Sequence, residues 1–546
     1  MNVTFRAQGA DPVTIACSAG ENLLEVARRG GLALDAPCGG SGACGKCRVK
    51  LLSGSLEGGT DRHITPEELA EGWRLSCQCR VTGDCQVFLP ETELFRGPEG
   101  RWETLAEAFS QLEMPPDGRG VALALDVGTT TVWGVLADRS QGTILSGATA
   151  ANGQIPYGAD VISRILESNK PAGRQRLQKA VGEKTLAPLV EKLCRLSGVS
   201  PEEISRVTVA ANTTMNHLLV GEDADPIRRE NYDPEAFNQK TFSPADAGLP
   251  GKGKLIFAPN VGAYVGGDIA AGVLASGMWK EEGMTLFVDL GTNGEIVLGN
   301  RELLLSCACS AGPAFEGGQI SCGMRAAAGA VEAVKICRET GEPVCSVIGG
   351  GMPAGICGSG LIDLIAQLFS AGLLNGKGRF CKEHSRIIRD ADGVSGYVLA
   401  RAEESRTGRA LVVDEVDIDN FIRAKGAIYA GIDTLLKFAD IPPEALDRVL
   451  VAGGIGSGIN LESAVTIGML PNVERSRYRY IGNAALTGAY AMAVSQRAEE
   501  TCRQVAGNMT YVDLSGCPGY MDAFVAACFL PHTDRSLFSK NKTDAL

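Results

Sequence analysis

The spacing of apolar and polar residues divides the chain into three stretches of different grain. Near the start, Asn2–Arg6 and Pro12–Cys17 alternate with the period of two that marks short strands. Asn22–Arg29 instead groups Leu23, Leu24, Val26 and Ala27 on one helical face. Cys47–Leu52 and Cys85–Leu89 read as further strands, so residues 1–93 are predicted to form one small unit of four strands and a helix. Residues 94–118 break the pattern. Pro98, Gly100, Pro115, Pro116 and Gly118 punctuate a predicted linker that contains a short helix at Leu105–Leu112. Both a swinging tether and a rigid connector fit that composition. From Arg119 onward, apolar runs alternate with Ala/Leu-rich helical stretches, the pattern of an α/β fold. It divides into predicted lobes at 119–282 and 283–546. The final segment, Met509–Pro531, is apolar enough to pack on the ATPase core.

Composition narrows the class. A chain of 546 residues exceeds one ordinary domain. A net charge of −12 argues against a general nucleic-acid or anionic-membrane binder. No apolar run reaches the ~20 residues of a spanning helix, and Met1–Arg6 lacks a signal-peptide pattern. The 18 cysteines are scattered apart from one group, as expected in a reducing compartment, so a cytoplasmic location is predicted.

That group carries chemistry. Cys38, Cys44 and Cys47 lie in a Gly-rich loop, and Cys77 follows in Leu75-Ser-Cys-Gln78. Three thiols plus a distant fourth suit a [2Fe–2S] cluster, and the glycines let backbone N–H groups turn toward its sulfurs. Zinc fits less well, because structural zinc sites pair their cysteines in two short knuckles. Cys79 rivals Cys77 for the fourth place, whereas Cys17 and Cys85 read as small core residues. The context of Cys77 resembles the Leu-x-Cys-Gln of ferredoxin domains, and the whole unit resembles a β-grasp ferredoxin.

A second chemistry lies downstream. Val121–Thr131 and Thr285–Glu295 each read as a buried strand ending in Asp-x-Gly-Thr, about 160 residues apart. Such repetition implies a duplicated domain with a cleft between its halves. Asp126 and Asp289 suit Mg²⁺, usually through water, while Gly128, Thr129, Thr130, Gly291, Thr292 and Asn293 suit phosphate. A third phrase, Arg448–Gly458, ends a strand in a glycine-dense turn where Gly453, Gly454 and Gly456 would leave bare backbone for an adenosine. No Walker A sequence occurs. Asp268 precedes an Ala/Gly helix, where it could orient an attacking water or cap the helix.

Together these phrases resemble the acetate and sugar kinase, heat-shock chaperone and actin superfamily. Asp126–Thr130 and Asp289–Asn293 match its two phosphate motifs, Gly453–Gly458 its adenosine motif and Ile481–Gly488 its connecting helix. The implied fold is multidomain: a β-grasp [2Fe–2S] ferredoxin followed by a duplicated α/β, RNase H-like (actin-like) ATPase. That fusion resembles the ATP-dependent reductive activators of corrinoid proteins. Asn212–His217, Ala258–Asp268 and Gly355–Asp363 fit the same resemblance. It implies one-electron reduction of Co(II) to Co(I) in a corrinoid protein of a methyltransferase system, with ATP and Mg²⁺. It also implies a separate low-potential electron donor and a homodimer. Plant-type clusters sit near roughly −400 mV, and driving one electron uphill by about 200–300 mV needs about 5–7 kcal/mol, within reach of ATP. The chain lacks the Asp-x-His-x-x-Gly of a cobalt ligand, so the corrinoid should belong to another protein. His217 reads better as a satisfied core histidine than as a contact residue. Rival readings are an ATP-coupled electron donor to another low-potential enzyme, a small-molecule kinase with a redox sensor, and a nucleotide-switched adaptor.

Overall fold

The structure is a computed structural model. It describes the chain except residues 8–10, 31, 33, 35, 37–39, 41, 43–44, 60–63, 91–101, 159, 230, 292, 338, 455–457 and 540–546. Cys38, Cys44, Thr292, Gly456 and residues 94–101 of the predicted linker therefore lie outside the described residues.

The N-terminal unit contains β1 (Asn2–Ala7), β2 (Val13–Ala16), β3 (Arg48–Gly58), β4 (Trp73–Leu75) and β5 (Cys79–Leu89), in the sheet order β2-β1-β5-β3-β4. The helix Leu23–Arg29 buries Leu23, Leu24, Val26 and Ala27 against Val3, Phe5, Val49 and Val87 of the sheet. Its Asn22 cap accepts from the backbone N–H groups of Leu24 and Glu25, satisfying donors left open at a helix start. Two details differ from the predicted pattern. Trp73–Leu75 is a fifth strand too short to show a period. Cys85–Leu89 is the end of an eleven-residue strand that begins at Cys79.

The first ATPase sheet comprises β6 (Val121–Val127), β7 (Thr131–Asp138), β8 (Thr143–Ala151), β9 (Ile204–Ala210) and β10 (Lys254–Phe257), in the order β10-β9-β6-β7-β8. The second begins with β11 (Thr285–Leu290), β12 (Gly294–Gly299) and β13 (Leu304–Cys309). Two small sheets follow, one of β14 (Ala330–Ile336), β15 (Pro343–Val347) and β16 (Gly355–Ile356), the other of β17 (Ile387–Arg389), β18 (Ser395–Ala400) and β19 (Leu411–Asp414). The second main sheet resumes with β20 (Arg448–Ala452), β21 (Tyr478–Gly482) and β22 (Met509–Tyr511), giving β21-β20-β11-β12-β13-β22. The repeat is one of register. β6 pairs antiparallel with β7 and parallel with β9, as β11 does with β12 and β20. Asp126 lies opposite Ala210 at the end of one parallel pair, and Asp289 lies opposite Ala452 at the end of the other.

The chain segments and the lobes do not coincide. Helix Ala484–Val494, encoded between β21 and β22 of the second sheet, lays Leu486, Ala489 and Tyr490 on Ala122 and Ala124 of the first. It also crosses helix Gly267–Ser276, where a Cβ on Gly488 would come within 2.1 Å of the Ala271 carbonyl oxygen, so glycine permits the close approach. Segment 283–546 is thus a second lobe plus a cover for the first. The predicted linker also changes character. Leu105, Phe109, Leu112 and Met114 are buried in the same core, with Phe109 edge-on to Tyr490 at 5.4 Å. From Leu105 onward it is a rigid part of the first lobe. Ile481 and Gly482, expected in the connecting helix, end β21 instead. Met509–Tyr511 adds a strand beside β13, and helix Tyr520–Ala527 packs beside the long helix Glu415–Phe438.

The N-terminal unit rests on the ATPase. Lys46 Nζ donates to the Gly317 carbonyl at 2.7 Å, and Glu68 pairs with Arg409. Among the described residues, no helix is long and apolar enough to cross a membrane.

Candidate functional site

The twin strand ends bring their carboxylates to one cleft. Asp126 ends β6 and accepts from Asn483 Nδ2 at 2.7 Å, and Asp289 sits at the matching place on β11. Glu295, the cross-strand partner of Asp289, is 8 % exposed. Asp268 is the second residue of its helix, whose cap is Gly266, so Asp268 is not the cap. Burial pushes each of these acids up. Asp126 rises to about 7, through burial and the charge of Asp268, partly offset by the Asn483 hydrogen bond. Asp268 rises to about 6 and Asp289 to about 8, the latter through burial and then its two aspartate neighbours. Glu295 is raised as well, by burial and by Asp268 and Asp289. Four acids so close together hold their protons more tightly than free carboxyls, and a nearby divalent cation would oppose that rise. Among the described residues no three acidic, histidine or cysteine groups form a metal-binding set by themselves. Mg²⁺ keeps several waters and takes oxygens from phosphate.

The phosphate turns are built alike. The Gly128 N–H donates to the Thr131 carbonyl at 3.1 Å, and the Gly291 N–H donates to the Asn293 carbonyl at 3.0 Å. Both amides close their own turns, which leaves hydroxyls and neighbouring backbone for phosphate. Thr129 Oγ1 accepts from Asn212 at 3.1 Å, and Thr130 Oγ1 donates to Glu316 at 3.0 Å. The fully buried Arg164 fastens the first turn by donating to the carbonyls of Thr129 and Gly158. On the other wall Gly453 has φ +91°, and a Cβ there would lie 2.5 Å from Asp289 Oδ1, so only glycine fits. Gly454 faces open space.

Sequence reasoning placed Asp126, Asp289, Asp268, Gly128, Thr129, Thr130, Gly291, Asn293, Gly453 and Gly454; of these, Asp126, Asp268 and Asp289 lie near one another with Gly453 against Asp289, while Gly128, Thr129 and Thr130 form the turn after Asp126 and Gly291 and Asn293 the turn after Asp289. It missed the roles of Arg164, Glu295, Glu316 and Asn483, and cited Asn212 only within a phrase. Asn212 and Asn483 each cap a helix that follows a strand, a readable signal. Arg164 gave none, because a cation in an amphipathic helix ordinarily faces water. His217 is a core residue. Its ring nitrogens meet the Asp223 carbonyl at 2.7 Å and the Tyr232 hydroxyl at 2.9 Å.

In the N-terminal unit Cys47 and Cys77 are buried together, and the Ser76 N–H donates to the Cys47 carbonyl at 2.9 Å. Cys77 lies on the turn Ser76–Gln78, held by Asn22 Nδ2 on its carbonyl at 2.7 Å. A Cβ on Gly40 of the cysteine-bearing loop would come within 3.7 Å of Cys77 Cβ, so Cys77 faces that loop. Cys79 begins β5 and points elsewhere. A Cβ on Gly59 would meet its Sγ at 2.4 Å, and burial pushes its thiol up to about 12.

Fold and site define a class: a two-lobed ATPase of the acetate and sugar kinase, heat-shock and actin type, joined to a [2Fe–2S] ferredoxin domain. Residues 6–82 match the 2Fe-2S iron-sulfur cluster binding domain, 121–281 the RACo middle region, and 283–542 the C-terminal domain of RACo, the ASKHA domain. Corrinoid activation enzyme RamQ of Eubacterium limosum is 32% identical over 414 residues, covering 74% of this chain and 69% of RamQ. The solved structure of a reductive activator for corrinoid, iron-sulfur protein superposes with TM-score 0.71 at 35% identity, covering 99% of this chain and 100% of that one. A Co(II) methylated amine-specific corrinoid protein reductase of Methanosarcina barkeri is 25% identical over 278 residues, 47% of each chain. The chain belongs to the family of ATP-dependent reductive activators of corrinoid proteins. Its cofactors are a [2Fe–2S] cluster and ATP with Mg²⁺.

Proposed function

We propose that this protein uses ATP to drive one electron from its [2Fe–2S] cluster onto Co(II) of a separate corrinoid protein, restoring Co(I) for methyl transfer. The observation that carries the reading is the joining, in one chain, of a cysteine-bearing ferredoxin sheet to a cleft of four acids between twin Asp-x-Gly-Thr turns. Cys38, Cys44, Cys47 and Cys77 would hold the cluster, and the facing of Cys77 toward the Gly40 loop supports it over Cys79. The cluster supplies single electrons at low potential. Asp126 and Asp289 would hold the hydrated Mg²⁺, with Asp268 placed to orient water. Gly128, Thr129 and Thr130 would take one phosphate, Gly291, Thr292 and Asn293 another, and Gly453, Gly454 and Gly456 the adenosine. ATP contributes by favouring the complex in which Co(II) is easier to reduce. The domain plan is 1–93 ferredoxin, 94–118 connector, 119–282 first lobe and 283–546 second lobe with extension, modified by the shared helices above. A methyltransferase corrinoid protein as partner, a separate low-potential donor, a homodimer and a cytoplasmic location complete the reading.

The test is anaerobic absorbance of a Co(II) corrinoid protein mixed with the activator and a chemical reductant, with and without ATP. Co(I) appears only with ATP and not with Cys77→Ser protein. A reducible cluster that yields no Co(I) with any of several corrinoid proteins would sink the reading and favour another low-potential acceptor.

A further inference from the structure

Two contacts meet on neighbouring residues. Thr130, in the first phosphate turn, donates to the Glu316 carboxylate at 3.0 Å. Lys46, which stands between Cys44 and Cys47 in the cysteine-bearing loop, donates to the carbonyl of Gly317 at 2.7 Å across 271 residues of sequence. The two acceptors share one stiff turn. The Gly317 N–H donates to Ala314 and the Gly318 N–H to Pro313, at 3.0 and 2.8 Å. Gly317 has φ +72°, and a Cβ there would lie 2.4 Å from the Met324 nitrogen. A displacement of Glu316 therefore moves the carbonyl that holds Lys46.

We infer that the Glu316–Gly317 turn couples the nucleotide cleft to the docking of the ferredoxin domain, so that a bound nucleotide loosens the cysteine-bearing loop from the ATPase. The inference rests on the reading that Thr130 contacts phosphate. The Thr130 hydroxyl has one proton to donate, and giving it to a phosphate oxygen takes it from Glu316. The phosphate's negative charge then repels the carboxylate. With the turn shifted, Lys46 loses that carbonyl, and the loop has one contact fewer to the lobe while the Glu68–Arg409 pair stays in place. In the docked arrangement Lys46 faces the ATPase. Glu316 and Lys46 are positioning residues in this scheme.

The test is hydrogen–deuterium exchange on the full, cluster-loaded chain, without nucleotide and with Mg²⁺ and a non-hydrolysable ATP analogue. With the analogue, exchange slows over 126–131 and rises over 45–50 by roughly tenfold, the change expected from losing one charged hydrogen bond. In Glu316→Ala protein 126–131 still slows while 45–50 no longer responds. In Lys46→Met protein 45–50 exchanges fast with or without nucleotide. Slowing at 126–131 with no change at 45–50 in the native sequence overturns the coupling alone, as does a normal response in Glu316→Ala. No slowing at 126–131 overturns the nucleotide site, and the coupling with it.

Discussion

Replacing Asp289 by asparagine should separate what this residue does for binding from what it does to stability. In the folded protein its carboxyl is raised from 3.8 to about 8 by burial and by Asp268 and Asp126. Between those two values the native state holds a proton that the unfolded chain has released, so stability falls as pH rises from about 4 to about 8 and levels off above. At about 1.4 kcal/mol per pH unit the ceiling is about 6 kcal/mol. Asp289 keeps an opening to the cleft, and solvent screening lowers this to about 1–3 kcal/mol. The replacing amide has no charge to bury. Without nucleotide at pH 8.5 the Asp289→Asn protein should therefore melt roughly 3–10 °C above the parent, at roughly 2–4 °C per kcal/mol for lobes of this size. The gap closes toward pH 5. Saturating Mg²⁺ and ATP reverse the order, because a ligand at a hundred times its Kd adds about 2.7 kcal/mol to the parent and little to the variant. Thermal unfolding across that pH range, with and without Mg²⁺ and ATP, measures both effects. A variant less stable than the parent at pH 8.5 without ligand would refute the argument, as would an equal gain from Mg²⁺ and ATP.

Cys79→Ser should keep its visible iron–sulfur spectrum and iron content yet unfold more easily by about 1–3 kcal/mol, because a hydroxyl replaces a buried thiol. Loss of the spectrum would make Cys79 a ligand. Gly453→Ala places a Cβ 2.5 Å from Asp289 Oδ1, and crowding of about 1–3 kcal/mol predicts a nucleotide Kd weaker by roughly 5- to 150-fold by calorimetry. An unchanged Kd would remove Gly453 from the site.

What could be read in advance was whatever the chain keeps local. Asp126 with Thr129, and Asp289 with Asn293, each fall within one strand and its turn, so sequence displays them whole. The hydrophobic pattern also revealed the helix at Leu23–Arg29. Arg164, Glu316 and Asn483 escaped because their partners lie far away in sequence: 35 residues for Arg164 and Thr129, 186 for Glu316 and Thr130, and 357 for Asn483 and Asp126. The predicted linker reads as either a tether or a rigid connector for a related reason. Its prolines and glycines are genuine breakers, but Leu105 and Phe109 find their core on a helix encoded near residue 490. Sequence favours Cys77 over Cys79 only through its Leu-x-Cys-Gln context, because no periodicity marks the three-residue turn on which Cys77 sits.

The helix Ala484–Val494, lying on the first sheet, orders the birth of this protein. The strands β6 to β10 are complete once Phe257 has been made, yet the apolar face formed by Ala122 and Ala124 waits for Leu486, Ala489 and Tyr490. At typical synthesis speeds that wait lasts roughly 10–50 s. During it the nascent first lobe exposes an unfinished surface that only its own distant C-terminal half, or a chaperone standing in for it, can shield. A truncation before residue 484 would therefore spoil both lobes at once, although it cuts only one of them from the gene.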